Sequence, residues 1–225
     1  MDLYVNRAAT TSRAVLAFCD AAGLAINVKD VDIMRGEQHQ PAFASLNPNR
    51  LVPVLVDDDF VLTEASAILR YLAQKSQSPF YPEGLRARAR IDELLAWFES
   101  NFYKDFGFQY VYPQFLPHHA RGTEEGTRRT VEWGRDKSRA WLSILDGHFL
   151  AGGRRYLVGD AITIADFFGA SIVSLGELIG CTFDGYPNVL GWYRNVTAHP
   201  SFIGVNGAFK GFVASLADQR FIGLS

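Results

Sequence analysis

A chain of 225 residues with 48% hydrophobic and 20% charged side chains has the material for one large domain or two small ones of ordinary globular protein. Its formal charge of -2 offers no basic field for nucleic acid, and no Lys/Arg run suggests a membrane surface, so neither partner is expected. Cys19 and Cys181 are isolated, with no Cys-x-x-Cys and no companion histidines, which argues against a disulfide framework, a zinc site and thioredoxin-style redox chemistry.

The opening Met1-Asp2-Leu3-Tyr4-Val5 lacks a basic region ahead of an apolar core, and no apolar stretch is long enough to span a bilayer, so a reducing cytoplasm is the expected location. Leu3-Tyr4-Val5 reads as the first strand. Arg7 to Ser12 carries a run of hydroxyls, Thr10, Thr11 and Ser12, just ahead of Arg13 to Cys19, whose apolar spacing is helical and whose end is marked by Gly23. A strand, loop and helix N-terminus in that order gathers unpaired N–H groups and partial positive charge, which favours a thiolate over a thiol.

Ile26 to Ile33 reads as a second strand, followed by the polar run Arg35 to Pro41 and a short helical piece, Ala42 to Leu46. Asn47 to Leu55 is the stretch on which function turns. Pro53 opens an extended run and is a candidate cis site, and it leaves the neighbouring Val52 N–H and C=O free to pair with an extended peptide. Asp57-Asp58-Asp59 makes a tight turn between Pro53–Val56 and Phe60–Leu62, a β-hairpin. Thr63 is the expected cap of the next helix, with Glu64 in its first turn and Ile68, Leu69 and Leu72 buried at helical spacing. The order is βαβ then ββα.

The turn-forming run from Ser76 to Gly84 breaks the pattern, and everything beyond reads as helix. Leu85 to Tyr112 carries Ile91, Leu94, Leu95, Phe98 and Phe102 at core spacing and a second set, Tyr103, Phe106 and Tyr110, on another face. His118-His119 sit side by side in a loop and make no metal site without further ligands, and no metal is expected. A long helix spans about Thr123 to Leu150. Thr163 and Asp166, three apart, form a capping box, and further helices cover Asn188–Ala198, ended by His199-Pro200, and Ala208–Leu216.

Val52-Pro53, followed at this distance by Thr63-Glu64-Ala65-Ser66-Ala67-Ile68, resembles the N-terminal half of a cytosolic glutathione transferase, nearest to the theta class and its bacterial relatives. Gly159-x-x-x-Thr163-x-Ala165-Asp166 is similar to the folding signature of that family's helical domain, where it is structural. The resemblance implies an α/β thioredoxin-like domain over residues 1–78, a linker over 79–84 and an all-α helical bundle over 85–225. It also implies glutathione as co-substrate, a small hydrophobic electrophile as acceptor, and a homodimer.

Carried onto this sequence, the resemblance places Val52 and cis Pro53 against the cysteinyl unit and Glu64 and Ala65 at the γ-glutamyl end. Ala65 replaces the usual serine but keeps its N–H, at a cost of about 0.5–1.5 kcal/mol. Gln38 falls where the family has a histidine for the glycine carboxylate, leaving Arg50 as its electrostatic partner. The serine that donates to the thiolate falls at Ala9, whose methyl group donates nothing. Thr10, shifted by one residue, is the first substitute, then Thr11 or Ser12, unless all three merely cap the helix. Tyr103, at a position that is basic in some theta enzymes, implies with Phe106 and Tyr110 a pocket for aromatic acceptors. The two alanines keep a competing reading open, a glutathione- or hydrophobic-ligand-binding protein without catalysis.

Overall fold

The computed structural model describes residues 1–224. Buried Leu3 and Val5 alternate with half-buried Asp2 and Tyr4 in β1 (Asp2–Val5), and a strand with one face fully covered takes a central place. It pairs in parallel with β2 (Asn27–Asp30) and antiparallel with β3 (Val54–Asp57), which pairs antiparallel with β4 (Phe60–Leu62); the order is β2-β1-β3-β4. The hairpin turns at Asp58, whose φ of 54° lies in the left-handed region that Asp tolerates better than most residues. Strand β2 is shorter than its apolar pattern suggests because Asp32 accepts from the Met34 and Arg35 N–H groups and starts a tight turn in its place.

Three helices accompany the sheet: α1 (Thr10–Ala21), α2 (Pro41–Leu46) and α3 (Ala65–Lys75). Helix α1 begins earlier than its apolar spacing suggests, with Ala9 as N-cap, so Thr10, Thr11 and Ser12 form its first turn. Helix α3 is capped by Glu64, not Thr63, because the backbone at Glu64 turns through a φ of 65°. Tyr4 packs edge-on against Phe43 of α2, a structural role.

Helix α4 (Leu85–Trp97) continues into two π-helical turns, Phe98–Tyr103 and Phe106–Val111, and a tight turn, Tyr112–Gln114. Then come α5 (Glu124–Ile144), capped by Thr123, and the wholly buried α6 (Ile164–Val173). These are followed by α7 (Pro187–Thr197), α8 (Pro200–Val205) and α9 (Gly207–Ser215). His199-Pro200 ends α7 as expected and also opens α8, His199 accepting from the Ser201 N–H. Gly134 lets α5 press onto the second π turn, since a Cβ there would lie 2.7 Å from Gln109.

The Thr163–Asp166 box is present, and Asp166 holds more than the start of α6. Its carboxylate accepts from the Leu157 N–H, the Thr163 N–H and hydroxyl, and the Trp192 indole, at 2.8–2.9 Å. Helix α1 packs on α3 and also on α6 and α8, so it belongs to the sheet by sequence and to the helical bundle by contact. Its Arg13, fully buried, donates to Asn206 Oδ1 (2.6 Å), Ser174 Oγ (2.8 Å) and the Ser171 carbonyl (3.3 Å), with its guanidinium 3.7 Å from the centre of the Phe209 ring. Among the described residues no helix is long and apolar enough to cross a membrane.

Candidate active site

Strand β3 starts at Val54, so Val52 and Pro53, joined by a cis peptide, lie just outside its ladder. Among the described residues the Val52 N–H has no protein partner, while its carbonyl accepts from Thr11 Oγ1 at 3.3 Å. That bond seats the first turn of α1 against the strand entry. The loop before it is folded on buried Asn47, whose amide donates to the Leu51 carbonyl (2.8 Å) and whose Oδ1 accepts from the Asn49 N–H (3.0 Å). Arg50 takes a φ of 57° at the turn of this loop and is exposed. Gln38, in the tight turn Glu37–His39, lies with its amide nitrogen 3.3 Å from His39 Nε2, and its Oε1 is buried without a protein partner. Glu64 is exposed at the start of α3, and the N–H of buried Ala65 is one of those a helix leaves without an internal acceptor.

The three candidate hydroxyls meet different fates. Ser12 is fully buried and its Oγ has no hydrogen-bond partner, so a ligand sulfur cannot reach it, and its place as a catalytic candidate is withdrawn. Thr11 is committed to Val52. Thr10, 4% exposed, lies with Oγ1 3.0 Å from the Tyr112 hydroxyl, which in turn is 2.8 Å from the Tyr103 hydroxyl. Burial raises both phenols above their ordinary value, so they stay protonated. Burial also pulls Arg13 down to about 10, still charged at neutral pH. Cys19, by contrast, is pushed up to about 12 by burial and is no nucleophile.

The aromatic residues divide into two stripes. Phe98, Phe102, Phe106 and Tyr110 pack in sequence, edge-on or tilted, with ring centres 5.0–6.0 Å apart, all fully buried, and Tyr110 donates to the Ile222 carbonyl. Phe106 and Tyr110 are therefore core, not pocket wall. The cause is the π turns, whose extra residue per turn rotates both side chains onto the Phe102 face, away from where α-helical counting puts them. The second stripe is Tyr103, Phe108 and Tyr112, with centres 4.9 and 5.4 Å apart, closed by the His119 ring 5.1 Å from Tyr112. Phe108 is exposed and the other three are half-buried. Burial, then the nearby His118 and Arg121, hold His119 below its ordinary value, so this wall is aromatic and uncharged at neutral pH. Sequence reasoning missed Phe108, Tyr112 and His119, although Phe108 and Tyr112 repeat at a helical interval of four.

Residues 1–74 match the family model described as the glutathione S-transferase N-terminal domain, and residues 103–200 match that of the C-terminal domain. Rat glutathione S-transferase theta-2 is 34% identical over 206 residues, spanning 88% of this chain and 81% of the relative. Human glutathione S-transferase theta-1 is 32% identical over 210 residues, spanning 88% and 82%. The solved structure of a human theta-class glutathione transferase with the glutathione conjugate of 1-menaphthyl sulfate aligns with a TM-score of 0.84 at 30% identity, covering 96% of this chain and 88% of that one. Human glutathione transferase theta-2, solved with glutathione and an unknown ligand, aligns at 0.83 with 27% identity, covering 98% and 92%. With both halves matched in order along one chain, and the sheet and helices superposing on those relatives, this protein belongs to the glutathione S-transferase family.

Proposed function

We propose that this glutathione transferase lays glutathione along the Val52 backbone and presents its thiolate, at the first turn of α1, to a hydrophobic aromatic electrophile. One observation carries the reading. Two hydrogen bonds from adjacent residues, Thr11 to the Val52 carbonyl and Thr10 with the Tyr112 hydroxyl, bring the strand entry, the helix mouth and the aromatic wall to one point. Glutathione and a glutathione conjugate occupy the human theta structures, which supports the same ligand here.

In this reading the free Val52 N–H pairs with the cysteinyl unit as a strand would, Pro53 shapes that entry, and Glu64 with the Ala65 N–H takes the γ-glutamyl end. Arg50 and Gln38 hold the glycine carboxylate. The thiol gives its proton to solvent, and the N–H groups of the first turn of α1 stabilise the sulfur anion left behind. The sulfur then forms a bond to the electrophilic carbon, either displacing a leaving group that departs with its bonding pair, or adding across a double bond whose π pair takes a proton from solvent. Tyr103, Phe108, Tyr112 and His119 form the acceptor wall, whose uncharged surface favours aromatic over anionic acceptors. Residues 1–78 supply the cradle, residues 85–225 the wall, and 79–84 the linker between them. The chemistry needs no metal, and we assign the enzyme to the cytoplasm as a homodimer.

Ala9 favours the competing reading of a binding protein, since it removes the hydroxyl expected nearest to sulfur. Calorimetry with glutathione, combined with an ultraviolet titration of the bound thiol, separates the two. The expected result is binding with a thiol pKa lowered by at least about one unit from that of free glutathione. Binding with an unshifted thiol leaves a ligand-binding protein, and no binding overturns the cradle itself.

A further inference from the structure

Three hydroxyls stand in series and end at Thr10, one residue after Ala9: Tyr103 and Tyr112 at 2.8 Å, Tyr112 and Thr10 at 3.0 Å. They come from three separate elements, the first π turn, the tight turn after the second, and α1. Three hydroxyls carry three protons, and the two links between them use two. One proton is left to donate outward. Phenols are stronger acids than aliphatic alcohols, so the favoured order has Tyr103 donating to Tyr112 and Tyr112 to Thr10, leaving the spare proton on Thr10, at the helix mouth. Each donated bond polarises the next hydroxyl along such a chain.

The surroundings hold this series in register. Tyr103 can lie back towards Tyr112 because residue 107 is glycine, where a Cβ would come within 2.5 Å of the Tyr103 ring. Phe108 packs on both tyrosines, and His119 tilts at 35° against Tyr112. The charged and titratable neighbours are Arg13 on α1 and His119, with His118 and Arg121 behind it. Arg13 carries positive charge, which favours an anion at the mouth, while His119 is neutral at neutral pH.

The geometry points to a hydroxyl relay in which Tyr103 and Tyr112, acting through Thr10, strengthen the hydrogen bond that Thr10 donates to the glutathione thiolate. The helical half thus backs, with Tyr103 and Tyr112, the donor that stands in for the hydroxyl Ala9 lacks. Thr10 is the catalytic residue of the three and the tyrosines are positioning residues. The inference rests on the glutathione transferase reading above, and its test separates the two.

The test compares Tyr112→Phe, Tyr103→Phe, Thr10→Val, Thr10→Ser and the double variant Thr10→Val/Tyr112→Phe with the unaltered protein. The bound-thiol pKa and the acid limb of the kcat/KM profile are both recorded. Tyr112→Phe is expected to raise both by about one unit while changing the glutathione Kd, measured at a pH well below the bound-thiol pKa where the ligand binds as the thiol, by less than about twofold. Tyr103→Phe, one link farther away, is expected to raise them by about half a unit, and it gives the second measurement if Tyr112→Phe folds poorly. Thr10→Ser keeps the low pKa, Thr10→Val raises it at least as far as Tyr112→Phe does, and the double variant matches Thr10→Val alone. A wild-type thiol that is lowered on binding but unmoved by either tyrosine change overturns the relay and leaves the transferase reading standing. Additive shifts in the double variant overturn it as well. A wild-type protein that neither binds glutathione nor lowers its thiol pKa overturns both.

Discussion

Ala9 has the extended backbone of an N-cap, φ −67° and ψ 133°, but its methyl group accepts nothing from the first turn of α1. A hydroxyl there would satisfy one of the orphan N–H groups, so Ala9→Ser should stabilise the protein by about 1 kcal/mol, read from urea unfolding at unchanged m-value. No gain would mean that the local N–H groups are already satisfied. Thr10 and Ser12 show how far residue type alone can be read. Both present a hydroxyl in the same first turn, yet positions two apart on a helix point in different directions. One reaches Tyr112, 102 residues further along the chain, while the other is sealed without a partner. The sequence names the chemical group and leaves its neighbour unknown, because that neighbour arrives from the other half of the fold.

Among the elements, α6 was the most legible and α4 with its continuation the least. Thr163 and Asp166 stand three apart before an apolar run, which is enough to place a helix start, and the box forms there. What the spacing could not reveal is that Asp166 also holds Leu157 and Trp192. Asp166→Ala would strand four donors in a dry interior, so it should cost about 3–5 kcal/mol in chemical denaturation, well beyond the loss of one cap. A cost near 1 kcal/mol would reduce the residue to its capping role. Beyond α4, apolar spacing correctly assigned Phe98 and Phe102 to the core and then failed at Phe106 and Tyr110, because a period of 3.6 no longer holds where the helix widens. The same stretch carries the Tyr103–Phe108–Tyr112 wall, so the misread stretch and the proposed acceptor wall coincide.

At the scale of the molecule, Arg13 fastens α1 to the helical half through Asn206, Ser174 and the Ser171 carbonyl. The bond from Arg13 to Asn206 spans 193 positions of the chain. This is why the helix mouth and the aromatic wall keep a fixed relation although Thr10 and Tyr112 lie 102 positions apart in the chain. Sedimentation at micromolar concentration is the measurement for the proposed homodimer, with twice the chain mass expected and a monomer contradicting it. The outer edge of β4 has no neighbouring strand among the described residues. It leaves a backbone ladder open beside exposed Phe60 and Val61, a template on which strands of other molecules could stack. Asp58 and Asp59 at the hairpin tip put like charges at the point where a second ladder would begin, and so act as gatekeepers against fibril growth. Salt that screens these charges weakens that guard, which makes buffer of low ionic strength the safer medium for handling the protein at high concentration.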